Sequence, residues 1–212
     1  AIRTMMNTAV RWQYLEENPF SKMRQVSVPV RKPVFLTKQD FQGLLNLVKH
    51  PWLKELIVFA VLTGLRRGEI LNLRWQNVDV ERKVIHIESS ATFKTKAGKS
   101  RVVPMNKGVF ALLSQKSWQR GSADFVFTLS GQQINGSYLS HGFKRHARRI
   151  NEALHWHSLR HTFASWLVQG GVSLFEVQKL LGHSSPDVTQ IYSHLQPEQL
   201  HRTVNRIELS LN

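Results

Sequence analysis

The stretch Leu56-Ile57-Val58-Phe59-Ala60-Val61-Leu62-Thr63-Gly64-Leu65-Arg66-Arg67-Gly68-Glu69-Ile70 organises the reading of the whole chain. Its seven consecutive apolar residues, Leu56–Leu62, form the longest such run. That is far short of the ~20 residues needed to cross a bilayer. It suffices for a helix buried nearly all round, with Pro51 suited to its first turn and Thr63-Gly64 to its end. Such a helix belongs at the centre of a core. The glycine turn then delivers Arg66 to the start of a short helix that carries Ile70, Leu71 and Leu73 inward before Trp75 and Asn77 end it. A guanidinium there suits a phosphate: arginine grips oxygens with paired donors, keeps its charge, and is joined by the N–H groups of the helix terminus. The plainer alternative is that Arg66 and Arg67 form surface ion pairs with Glu69 and nearby loops.

Upstream of this stretch, Thr37-Lys38-Gln39-Asp40 has the form of a helix cap, followed by Phe41, Leu44, Leu45 and Val48 at helical spacing. Residues 1–18 hold a loose helical pattern (Met5, Val10, Trp12, Leu15) that closes an earlier domain, and residues 19–34, rich in Ser, Pro, Lys and Arg, read as a linker. The main domain runs over 35–195. Downstream, Val78–Val80 and Val84–Ile87 alternate with period two, and Arg101–Val103 answers them after a polar turn containing Gly98, which predicts a small three-stranded antiparallel sheet. Helical spacing returns over about 106–118, 138–152, 158–169, 173–181, 186–193 and 197–209, with loops marked by Gly121, Gly131, Gly136, Gly170-Gly171 and Gly182. The expected fold class is α+β, mainly helical.

With 29 Lys and Arg against 14 Asp and Glu, the 212-residue chain carries a formal charge of +15, which draws polyanions and makes nucleic acid the leading partner. The absence of cysteine excludes disulfides, thiolate zinc sites and thiol catalysis, and fits a reducing compartment, here taken as cytoplasm. The opening Ala1-Ile2-Arg3-Thr4 has neither an initiator Met nor a signal-peptide core and reads as an excised piece of something longer.

Three further groups could carry chemistry. His157, Arg160 and His161 share one face of an apolar helix containing Phe163, Trp166 and Leu167, so two imidazoles and a guanidinium can converge on one anion. His157 and His161 also have the spacing of a helical zinc pair, but Ser158 stands where such a site carries its general-base Glu. Leu181-Gly182-His183 is followed nine residues later by Tyr192; alone, they read as a cap contact and a core aromatic. The turn holding Lys94, Lys96 and Lys99 is ordinarily a solvated loop.

In combination and in order, these pieces resemble the tyrosine recombinase (phage integrase) family over about 35–209. Its first box, Thr-Gly-x-Arg-x-x-Glu followed by Leu or Ile, is met at Thr63–Ile70; its His-x-x-Arg-His box at His157, Arg160 and His161; its Leu-Gly-His element at Leu181–His183, with the tyrosine at Tyr192. No signature position departs. The resemblance implies a DNA-breaking and rejoining enzyme with Tyr192 as nucleophile, Arg66 and Arg160 on the phosphate, His183 as a further donor, and His157 as proton acceptor or orienter near Tyr192. It places the leaving-group acid at Lys96, with Glu69 and His161 as supports and Arg67, Lys94, Lys99, Lys144 and Arg145 on DNA. No metal, cofactor or ATP is implied. Residues 1–18 correspond to the last helix of the family's DNA-clamping domain. Residues 196–212, with an apolar stripe at Leu200, Val204, Ile207 and Leu211, correspond to a tail helix exchanged between protomers of a DNA-bound tetramer that is weakly associated or monomeric off DNA. A type IB topoisomerase and a non-catalytic DNA-binding relative are the alternatives. The Leu-Gly-His element and the tail disfavour the first, and the complete residue set disfavours the second.

Overall fold

A computed structural model describes residues 2–24, 32–89, 100–118 and 124–196. The chain divides into two compact units, residues 1–31 and 32–212. In the first, α1 (Ile2–Arg11) is followed by a turn gathered by Arg3, whose guanidinium donates to the Phe20 carbonyl at 3.0 and 2.7 Å. Asn18 closes the same turn, donating to the Arg3 carbonyl and accepting from the Phe20 N–H.

The second unit opens with α2 (Lys38–Leu47), whose start is the expected capping box: Thr37 accepts from the Asp40 N–H and Asp40 reaches back to Thr37. Next, α3 (Pro51–Thr63) begins with Pro51 and ends at Gly64, whose φ of 64° is the left-handed cap that only glycine adopts freely. Seven of its thirteen residues are buried, which makes it the central helix. After α4 (Arg67–Leu71) and a 3₁₀ turn at Trp75–Asn77, β1 (Val78–Asp79), β2 (Val84–Ile87) and β3 (Arg101–Pro104) form the three-stranded antiparallel sheet in that order. Val78 and Val103 lie opposite Ile85, which is fully buried.

The chain continues through α5 (Lys107–Trp118), a hairpin of β4 (Thr128–Leu129) and β5 (Gln132–Gln133), and α6 (Gly136–Ala147). This hairpin is absent from the sequence reading. Its two-residue strands are too short for alternation to register, and its turn is made by Ser130 and Gly131, both at positive φ (51° and 77°). Then come α7 (Trp156–Gln169), α8 (Leu174–Leu181), α9 (Asp187–Gln190) and a 3₁₀ turn at Ser193–Leu195. The helix expected over 186–193 is thus only four residues long, in a segment where β-branched Val188, Thr189 and Ile191 weaken helical propensity. Likewise, α6 stops at Ala147 instead of reaching 152.

Most buried apolar side chains join one core around α3, including Leu56, Phe59, Ile70, Ile85, Phe143 and Leu159. A smaller cluster of Ala164, Val168, Val177, Leu181 and Tyr192 lies between α7, α8 and the end of the chain's described part. Among the described residues no helix is long and apolar enough to cross a membrane. The hairpin tip with Lys94, Lys96 and Lys99, and the tail from 197 onward, lie outside the described residues.

Candidate active site

Arg66 caps α4. Its backbone N–H donates to Glu69 Oε2 at 2.8 Å and its Nη1 to Oε1 at 3.0 Å, so the ion pair foreseen as the plain alternative does form. That pair is not a surface one, since Glu69 is 3% exposed. Burial would raise the Glu69 carboxyl, but bonding to Arg101, its charge, and the Arg66 N–H outweigh it and hold the group below its usual range. Glu69 is therefore an anion at neutral pH.

Arg160, from the first half of α7, is 2% exposed, and each of its terminal nitrogens gives one of its two N–H groups to backbone: Nη1 donates to the Gly64 carbonyl at 2.7 Å and Nη2 to the Leu181 carbonyl at 2.6 Å. One guanidinium thus ties the end of α3 to the end of α8. Burial first, and the charge of Arg66 second, pull it down to about 9, which leaves it a cation at pH 7. His183 follows the left-handed Gly182 (φ 65°) that ends α8, and its Nδ1 meets Thr189 Oγ1 at 2.8 Å. Burial, then Arg160 and Arg66, push its imidazole down to about 3, so it is neutral.

Tyr192 is 1% exposed, and its hydroxyl lies 2.6 Å from His161 Nδ1. The expectation from the sequence put His157 beside this tyrosine. The structure instead gives the hydroxyl to His161, one helical turn on, because that ring sits on the part of α7 that faces α8 and the terminal turn. His157 stands edge-to-face against His161, ring centres 4.9 Å apart. Burial, with the nearby charges of His157 and His155, drives His161 down to about 4, and burial drives Tyr192 up to about 12. At neutral pH the proton therefore belongs to the phenol, and the neutral His161 ring shares a hydrogen bond with it, accepting at Nδ1 in the tautomer protonated at Nε2.

Beside this buried group opens a cleft of about 610 Å³, lined by Arg66, Arg67, Gly68, Ser140, His141, Lys144, His155, Trp156 and His157. Of the residues expected on DNA, Arg67 donates to Ser140 Oγ at 2.6 Å and the Gly136 carbonyl at 3.1 Å, and Lys144 to the Leu154 carbonyl at 3.1 Å and the Glu152 carbonyl. Arg145 is exposed on α6 and does not line the cleft; Lys94, Lys96 and Lys99 lie outside the described residues. Arg101 and His141 were not singled out from the sequence. Arg101 is the arginine of the run Lys-x-x-Lys-x-Arg-x-Val-Pro from Lys96 to Pro104, the run that sets the register of Lys96, and that is the signal that could have flagged it. Among the described residues, no three His, Cys, Asp or Glu are grouped to hold a metal ion.

The model of the phage integrase family matches residues 34–199. The chain is 32% identical to the integrase of Salmonella phage P22 over 222 residues, covering 98% of this chain and 55% of that protein. It is also 32% identical to the tyrosine recombinase XerD of Haemophilus influenzae, over 97% of this chain and 73% of that one. It therefore spans between about half and three quarters of the length of these relatives. Among solved structures, a Tn1549 transposon integrase in complex with a circular intermediate DNA shares the fold, with a TM-score of 0.74 at 21% identity over 97% of this chain and 76% of that one. A family match over most of the chain, with a basic and histidine-rich site built from the family's boxes, leads to one conclusion: the chain belongs to the phage integrase family of tyrosine recombinases.

Proposed function

We propose that this chain is the catalytic part of a site-specific DNA recombinase that cuts and rejoins strands through a 3′-phosphotyrosyl link to Tyr192. The observation that carries the reading is convergence. Arg66, Arg160, His161, His183 and Tyr192 come from the start of α4, from α7, from the turn after α8 and from just beyond α9, yet Arg160 holds the Gly64 carbonyl two residues before Arg66 and the Leu181 carbonyl two residues before His183, and His161 bonds the phenol.

In the proposed reaction the Tyr192 oxygen bonds to phosphorus as the bond to the 5′-oxygen breaks, and the phosphodiester energy is kept in the new ester for religation. Two arginines would bind the non-bridging oxygens, where charge grows, and His183 would add a neutral donor. Since Tyr192 sits near 12 and His161 near 4, the phenol proton cannot leave beforehand. It would leave as the P–O bond forms, to His161, with His157 behind it. Lys96 remains the candidate acid that protonates the departing 5′-oxygen. The paired arginines supply the positive charge that metal-dependent nucleases take from divalent ions, so chelators should not slow the reaction.

Arg66 and His157 reach the open cleft, while Tyr192 lies beneath it. Residues 187–195, only a four-residue α9 and a three-residue turn, would have to shift outward when DNA enters, drawing Tyr192 out of its cluster with Val177 and Leu181. Double-stranded DNA at specific sites is the proposed substrate, and a tetramer on DNA the proposed assembly.

Incubation of the protein with a nicked suicide duplex from its native locus tests this. A covalent protein–DNA band that Tyr192→Phe abolishes, with DNA binding retained, is the expected result. Capture undiminished in Tyr192→Phe would overturn the assignment.

A further inference from the structure

Arg101, the first residue of β3, stands where three parts of the site meet. Its Nη1 donates to Glu69 Oε1 at 2.9 Å and its Nη2 to Oε2 at 2.7 Å, while Nε reaches the Leu180 carbonyl at 3.3 Å. Glu69 takes Arg66 on the same two atoms, Nη1 on Oε1 and the backbone N–H on Oε2. Each carboxylate oxygen thus has one donor from Arg66 and one from Arg101. The arrangement is enclosed, with side-chain exposure of 11% for Arg101 and 1% for Glu69. Gly182 makes room for it: a Cβ there would lie 2.7 Å from Arg101 Cδ.

We infer that Arg101 is a positioning residue for strand cleavage: it holds Glu69 so that Arg66 stays aimed into the cleft, and ties the His183 turn to the same point. The inference rests on the function proposed above. Its physical basis is a competition for donors. A buried carboxylate needs its lone pairs filled, because leaving a buried anion short of donors is costly. With Arg101 in place, Arg66 satisfies only half of that need and keeps donors for a phosphate. Without it, Glu69 draws the Arg66 guanidinium inward. The Nε bond to Leu180 adds a second constraint, since the next carbonyl, that of Leu181, is held by Arg160. Two arginines therefore fix consecutive carbonyls just before Gly182 and His183.

The test uses the full chain, with Arg101→Lys, Glu69→Gln, and Arg101→Met paired with Glu69→Gln and measured beside each single change. Lysine keeps the charge but loses the fork, and the pair removes both buried charges together, so folding is protected in one variant or the other. Single-turnover capture on the nicked duplex should slow on the order of 10²-fold in Arg101→Lys, the usual penalty for a misplaced catalytic group. DNA affinity and its salt dependence should stay within about twofold, as no phosphate contact is lost. The Arg66 Nε–H resonance of the free protein should move. In the paired variant the neutral amide that replaces the Glu69 carboxylate no longer competes for Arg66, so the loss should be smaller than the two single losses multiplied together. Wild-type capture by Arg101→Lys, multiplicative losses in the pair, or a salt slope lower by about one contact would each overturn the inference. If the unaltered protein forms no covalent complex, the functional reading fails instead. An Arg66 resonance that stays put in Arg101→Lys then still overturns the role of Arg101, and one that moves supports it.

Discussion

Gly64 is the position at which the fold and the site can be disturbed together. A Cβ added there would lie 2.8 Å from Phe163 Cε1 and 2.9 Å from Cγ, at a backbone φ of 64°. The left-handed conformation costs a non-glycine residue ~1–2 kcal/mol. Overpacking against a ring costs a further ~1–3 kcal/mol, since Phe163 packs in the cluster of Ala164, Val168 and Tyr192 and can give only part of the way. Gly64→Ala should therefore destabilise the protein by about 3 kcal/mol, which for a domain of this size lowers the melting temperature by ~6–12 °C. The Gly64 carbonyl also receives Arg160 Nη1 at 2.7 Å, so strand cleavage should fall further than stability alone explains. Thermal unfolding by circular dichroism reads the first effect and covalent capture below the melting range reads the second. Combining Gly64→Ala with Phe163→Leu should recover the steric share but not the conformational share. A melting temperature within about 2 °C of the parent for Gly64→Ala would refute the reasoning on both counts.

His161 and His183, held near 4 and 3, should stay neutral down to pH 5 when their ring resonances are titrated; a midpoint near 6.5 for either would contradict their burial. Because both are depressed in the folded state, the unfolded chain binds the extra protons, so stability should fall as pH drops from about 6.5 towards 4, seen as earlier urea unfolding. Thr162→Val keeps the shape but strips the hydroxyl that accepts the Leu36 N–H at 3.0 Å, and should cost ~1–3 kcal/mol in urea unfolding; no measurable loss would mean that N–H finds another partner. Replacing Arg160 by Lys removes a fork that spans the Gly64 and Leu181 carbonyls, and should slow covalent capture by at least ~10²-fold, near-normal rates marking the residue as dispensable. DNA binding should weaken steeply between about 50 and 200 mM salt through counterion release, and a flat response would contradict the role given to the +15 charge.

What the sequence determined by itself is whatever depends on neighbours along the chain. The capping box at Thr37 and Asp40, the all-apolar α3 ended by Gly64, the alternation of β2 and β3, and the same-face spacing of His157, Arg160 and His161 are local patterns, and each was legible. So were the family's boxes, which lie within short windows. Tertiary structure alone decided which of two histidines on one face meets a phenol 31 residues later, because spacing gives the face but not what packs on it. It also decided that Tyr192 is buried and its phenol pushed up, a matter of desolvation by side chains from α7 and α8. And it brought Arg101, at the start of β3, onto Glu69, 32 residues earlier in the chain. A buried carboxylate demands donors from wherever the fold can supply them, and no local pattern records which strand will answer.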